Sequence, residues 1–269
     1  MNTPAEVAAN YIKIGIGKVK LPLGRMFVLA LMAGAFIALA GVGASTAAST
    51  IESLSAARMV SACVFPAGLA MVLLAGSELF TGNALLVIPL LERQVTVVDI
   101  LRNWVVVYIG NLVGSLAVAA VAAYSHLPGS FGGALAQAAM NTAAVKCSLS
   151  FGDAFLRGIA CNFLVCIAVW IAFAAKDVVG KVAGLYLPIM LFVVCGFEHS
   201  VANMLYIPFG LFIKSMPAYA GIAGSMDLSS LTWGGFASNL IPVTLGNIVG
   251  GLIVGIVYWY CYLKGKKEA

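Results

Sequence analysis

Apolar residues fill six long stretches of the chain, at about 24 to 47, 59 to 91, 100 to 124, 152 to 175, 182 to 213 and 235 to 263. A helix needs roughly 20 residues to cross the hydrocarbon core of a bilayer, so each stretch predicts a membrane span. The second and fifth are too long for simple spans, and polar residues interrupt them. The interruptions read Gly76-Ser-Glu-Leu-Phe-Thr-Gly-Asn83 and Gly196-Phe-Glu-His-Ser-Val-Ala-Asn203. Both predict helices broken inside the membrane. The expected fold is all-α, with six transmembrane helices in one transport domain over residues 1–269. An N-terminal segment 1–23 and a tail 264–269 flank it, and a connection 125–150 joins two halves, 24–124 and 151–263.

Composition strengthens the membrane reading. Hydrophobic residues make up 62% of the chain and charged residues 9%, against roughly a quarter charged in a soluble domain. The first apolar run is too long for the h-region of a cleaved signal peptide, and further spans follow, so it reads as a retained span. The net charge of +5 does not point to nucleic acid, because the basic residues flank spans and form no stripe on a soluble face. Lys13, Lys18, Lys20, Arg25, Arg93, Arg102, Lys176, Lys181, Lys264, Lys266 and Lys267 fall on one side of a six-span topology. Arg58, Lys146 and Lys214 are the thinner opposite set. The bias places both termini in the cytoplasm and the connection 125–150 outside. Cys63, Cys147, Cys161, Cys166, Cys195 and Cys261 show no metal-binding spacing and read as packing residues.

The two interruptions share a pattern, GxExxxxNxL, at a constant offset of 120 (196 minus 76). Gly110-Asn-Leu-Val-Gly114 repeats as Gly246-Asn-Ile-Val-Gly250 at an offset of 136, and Gly24-x-x-Phe27 as Gly152-x-x-Phe155 at 128. Spans one to three therefore correspond to spans four to six. Each half holds an odd number of spans, so the second inserts upside down, giving inverted repeats whose broken helices meet near the midplane.

Irregular backbone at membrane depth is tolerated only where it lines a cavity or is buried in protein, because each unpaired polar group costs several kcal/mol in lipid. Helix N-termini exposed by such breaks carry partial positive charge and free N–H donors, which suits an anionic solute. Glu78, Glu198 and His199 are ionisable groups at that depth, where such residues mark functional sites. Glu78 also fits a structural tie holding the break's backbone. His199 can hydrogen-bond an anion and titrates near neutral pH, which suits a weak-acid solute; His126, in a loop, reads as incidental. Asn111, Asn162 and Asn247 fit either packing ties or pore lining, and the glycines of GNxVG fit close helix packing. By composition alone Lys146 is a solvated loop lysine. No metal constellation, nucleophile triad or phosphate-binding glycine loop is visible, so the chain reads as neither an enzyme nor a cofactor binder.

Four segments in order, Gly76–Asn83, Arg157–Cys166, Gly196–Met204 and Asn239–Gly251, resemble the formate/nitrite transporter family across nearly the whole chain. The resemblance implies an aquaporin-like protomer, assembled as a homopentamer in a prokaryotic plasma membrane, with a pore in each protomer. It implies that His199, Thr81 and Asn247 line a central chamber, and that Lys146, Asn162 and Glu198 form a polar network reaching an outer vestibule. It further implies apolar constrictions of Leu69 with Phe192 toward the cytoplasm and of Phe65, Phe80 and Val165 toward the outside. The expected solute is a small monovalent anion such as formate, nitrite or hydrosulfide, with protons as the coupled partner. In the mechanism this suggests, the anion gathers at Lys146, takes up a proton, and crosses the constriction as a neutral acid, since an unpaired charge there is prohibitive.

Overall fold

The computed structural model describes residues 1–265; Lys266 and Lys267, two of the charges used to orient the chain, lie outside the described residues. The described chain is helical throughout: α1 (Pro4–Val19), α2 (Leu23–Ala48), α3 (Leu54–Val64), α4 (Pro66–Leu74), α5 (Val87–Leu91), α6 (Val97–Tyr124), α7 (Ala134–Cys147), α8 (Phe151–Ala174), α9 (Val178–Cys195), α10 (Ser200–Ser215), α11 (Ala220–Gly224) and α12 (Trp233–Tyr262). Six helices are long and apolar enough to cross a membrane: α2, the continuous pair α3 and α4, α6, α8, α9 and α12. Five of the six begin with a side-chain N-cap, from Ser53, Thr96, Ser150, Asp177 and Thr232, each supplying an oxygen to an otherwise orphan N–H; α2 begins after Pro22 with none.

The two predicted interruptions are real. The first separates α4 from a 3-10 turn at Gly82–Leu86 that leads into α5. The second separates α9 from α10. In each, the backbone leaves the helix at the glycine that opens the motif, Gly76 at φ +80° and Gly196 at φ +68°. A Cβ is strained in that left-handed region.

Two helix pairs, α2 with α6 and α8 with α12, make the most extensive contacts, and the GNxVG glycines explain how. Gly110 and Gly114 press on backbone atoms of Phe27 and Leu31, while Gly246 and Gly250 press on those of Phe155 and Ile159. A side chain at any of these positions would hold the backbones apart. The matching partners, Phe27 with Phe155 and Leu31 with Ile159, are again 128 residues apart, so the same packing is built twice.

Segments expected only as flanking chain prove to be parts of the repeats. Residues 1–23 contain α1, opened by a capping box between Thr3 and Glu6. Val7, Tyr11, Gly15 and Val19, four apart, form its buried face. Tyr11 donates its hydroxyl to the Gly82 carbonyl at 3.3 Å, and Gly15 sits against Leu86 and Pro89 with no room for a Cβ. The connection 125–150 likewise contains α7, buried along Leu135, Ala136, Ala139, Met140 and Ala143. Each half is thus a short buried helix followed by its spans, and each short helix carries a lysine in its last turn, Lys18 and Lys146.

Candidate functional site

The breaks expose backbone groups that must find partners, and in each break one asparagine supplies them. Asn111, on α6, donates to the carbonyls of Ala30 (2.7 Å) and Glu78 (2.9 Å) and accepts from the Phe80 N–H (2.9 Å). Asn247, on α12, donates to Gly158 and Glu198 (both 2.9 Å) and accepts from the Ser200 N–H (2.8 Å). Both donors and the acceptor oxygen of each amide are committed to main chain. Asn247, expected to line a central chamber, therefore has no free amide group to offer.

The glutamates of the motif make a second matched pair. Glu78 accepts from Lys18 (2.8 Å) and from Asn83 (2.8 Å), which also donates to Asn103 (2.9 Å). Glu198 accepts from Lys146 (2.8 Å) and from Asn203 (2.6 Å), which also donates to Asn239 (2.7 Å). Asn239 returns a bond to the Lys146 carbonyl at 2.8 Å. Both lysines are mostly buried, at 18% and 14% side-chain exposure. Lys146 is thus no solvated loop residue, and Glu78 is a tie in the same sense as Glu198. Reading the sequence missed Lys18, Asn103 and Asn239. A signal was present: Lys18 precedes Lys146 by 128, the offset of Gly24 from Gly152.

Between the two polar networks one side-chain hydrogen bond joins the breaks among the described residues. The Thr81 hydroxyl and His199 Nε2 lie 2.9 Å apart, both buried. His199 is also the N-cap of α10, and its Nδ1 accepts the Ala202 N–H at 3.0 Å. An accepting Nδ1 carries no proton, so the proton of the neutral ring sits on Nε2 and points at Thr81. The Thr81 hydroxyl hydrogen is then free to serve another acceptor. Charging the ring would put a proton on Nδ1 and break the cap. Asn162 donates to the carbonyls of Thr81 (3.1 Å) and Asn247 (2.6 Å), while its Oδ1 has no partner among the described residues.

Apolar side chains fill the same buried core. Phe65, Leu69, Phe80, Val165 and Phe192 all belong to one buried core, each at most 4% exposed. Phe192 stacks near-parallel to the His199 ring at 6.0 Å and meets Phe65 edge-on at 5.6 Å, so these two phenylalanines, expected at opposite constrictions, are direct neighbours. Phe80 turns away to pack on Tyr108 and Trp104, at 4.9 and 6.0 Å. On the Lys18 side a cavity of about 390 Å³ is lined by Lys18, Gly76, Ser77 and Glu78. A further void of about 30 Å³ continues from Lys18 to Leu69 and Leu79, which is room for one water. The site is a polar vestibule, an apolar plug, and a Thr–His contact inside the plug. It has no group of metal-ligating side chains among the described residues.

The arrangement has relatives. The family model described as formate/nitrite transporter matches residues 5–260. A probable formate transporter of Methanothermobacter thermautotrophicus is 40% identical, covering 97% of this chain and 97% of its own. The formate channel FocA of Escherichia coli (strain K12) is 37% identical, covering 97% and 94%. Among solved structures, a pentameric formate channel with formate bound superposes with a TM-score of 0.80 at 35% identity, covering 90% of this chain and 98% of that one. An FNT family ion channel superposes with a TM-score of 0.80 at 29% identity, covering 96% and 98%.

Proposed function

Because this chain belongs to the formate/nitrite transporter family, we propose that it is a pentameric plasma-membrane protein in which each protomer carries formate, coupled to a proton, through its own pore. The basic bias of the span ends puts the Lys18 vestibule in the cytoplasm and the Lys146 vestibule outside.

The observation that carries the reading is the placement of a neutral hydrogen-bonding pair inside an apolar plug, with an ion pair on either side. A carboxylate entering the plug would lose its hydration without gaining a counter-ion, a cost of many kcal/mol. The Nδ1 cap keeps His199 from supplying that counter-ion. Protonated at the vestibule, the solute enters as a neutral acid. The free hydroxyl hydrogen of Thr81 then meets its carbonyl oxygen, and the unpartnered Oδ1 of Asn162 is a ready acceptor for its O–H. Leu69, Phe65, Phe192 and Val165 exclude water, and hence ions, around that step.

The test is uptake of isotopically labelled formate into proteoliposomes under an imposed proton gradient, with current recorded in parallel. Uptake should rise as the source side is acidified and carry no current, because the crossing species is neutral. A current proportional to formate flux would show passage as the anion and overturn the coupling. Nitrite, hydrosulfide, acetate and lactate in the same assay rank the solutes.

A further inference from the structure

Each vestibule lysine is matched by a glutamate 2.8 Å away, so neither ion pair brings net charge to attract an anion from solution. The cation that does so should be unpaired, exposed, and close to the break.

The two halves differ at one position in this respect. Gly76 opens the first break beside the cytoplasmic cavity, and a Cβ built there would meet no atom within 4 Å. The same point over Gly196 lies in van der Waals reach of the guanidinium of Arg58, whose Nη1, Cζ and Nη2 would lie 3.4, 3.7 and 3.9 Å from a Cβ. Arg58 comes from α3, which packs against α9, and its side chain is exposed. No carboxylate lies within salt-bridge distance of it, and it makes no hydrogen bond, among the described residues. Glu198, two residues beyond Gly196, anchors Lys146. The guanidinium thus sits beside the opening glycine of the second break, at the position where the first break faces the cytoplasmic cavity.

We propose that Arg58 is the anion-capturing residue of the outer mouth, drawing small carboxylates toward Lys146 before protonation; this rests on the anion-transport reading above. A guanidinium keeps its charge at every physiological pH and presents a planar fork that matches the two oxygens of a carboxylate. Its exposure leaves it free to hand the anion on. The glycine at 196 is needed for its positive φ, and the guanidinium rests in van der Waals reach of it.

The bland alternative is that Arg58 only favours the carbonyl end of α9, where a cation is stabilising. The two roles separate on salt dependence. Formate influx into proteoliposomes of the full chain is measured at about 0.01 M and about 1 M salt, across which the screening length falls from ~30 to ~3 Å. For Arg58→Gln the expected loss at low salt is about two- to threefold, the effect of one unit charge some 6–8 Å away in water-like surroundings. The gap should close at high salt, and Arg58→Lys should restore the wild-type salt dependence. Equal influx of wild type and Arg58→Gln at low salt overturns the proposal. So does a loss of the same size at both salts, or Arg58→Lys behaving like Arg58→Gln. If wild-type liposomes take up no more formate than empty ones, the transport reading itself has failed.

Discussion

The two breaks share their wiring and differ in their chemistry. Asn111 and Asn247, Glu78 and Glu198, Lys18 and Lys146, Asn83 and Asn203 make the same bonds to the same partners in each half. Directly after the glutamates the halves part: Leu79-Phe80-Thr81 stands where the other has His199-Ser200-Val201. The duplicated set answers a need both halves share, since unwound backbone at membrane depth must be hydrogen-bonded wherever it occurs. The unduplicated set faces the one place where the halves meet, and there a second copy would be redundant. Thr81 from one break and His199 from the other form one hydrogen bond, so the halves contribute unlike residues to a common centre.

Removing the wiring should hurt both halves alike and most severely. Asn111→Leu and Asn247→Leu each strand two buried backbone groups of the break, a carbonyl and an N–H, at about 1–3 kcal/mol per group. Both variants should lower the thermal unfolding temperature in detergent by similar amounts. If Asn247→Leu folded normally and lost only transport, the tie assigned to it would be wrong.

Breaking an ion pair comes next. Lys18→Met and Lys146→Met each leave a buried carboxylate without its partner, which costs about 3–5 kcal/mol. The doubles Lys18→Met/Glu78→Gln and Lys146→Met/Glu198→Gln should recover much of that loss in the same unfolding measurement. A double as unstable as its single would mean that the lysine contributes packing, not charge compensation.

At the shared centre the expected effects are on rate. Thr81→Val and His199→Ala each remove the same hydrogen bond, and a loss of about tenfold in formate flux corresponds to about 1.4 kcal/mol. Because both act on one contact, the double variant should be no slower than the worse single. Multiplied losses in the double would show that the two residues act separately. The smallest contrast is at the opening glycines. Gly76→Ala and Gly196→Ala both meet the strain of a left-handed backbone, about 1–2 kcal/mol, and at Gly196 the added methyl touches Arg58 only at van der Waals distance. Circular dichroism melts should place the two variants close together, and a much larger loss for Gly196→Ala would mean that Arg58 presses on the break more tightly than its 3.4 Å approach.

Much of this architecture is legible in the linear chain. The six spans follow from run length, and the breaks from polar residues that no lipid-facing helix would carry. The inverted repeat follows from constant offsets between Gly, Glu and Asn in the two halves. Those residues recur because the backbone geometry they serve recurs, so a pattern in sequence stands for a pattern in space. The role of Lys18 was not legible, because a lysine near a span end also satisfies the charge bias of topology. Its burial depends on α1 folding back so that Tyr11 and Gly15 dock on the 3-10 turn and α5. The packing of Phe65 on Phe192, 127 positions apart (192 minus 65), and the Thr81–His199 contact across 118 positions were equally out of reach, since they join elements by packing alone. The sequence by itself determined where the chain crosses the membrane and where it must unwind, because lipid imposes that demand residue by residue. The tertiary structure decided which charges pair and which two residues meet at the centre, because those depend on how two inverted halves close on each other.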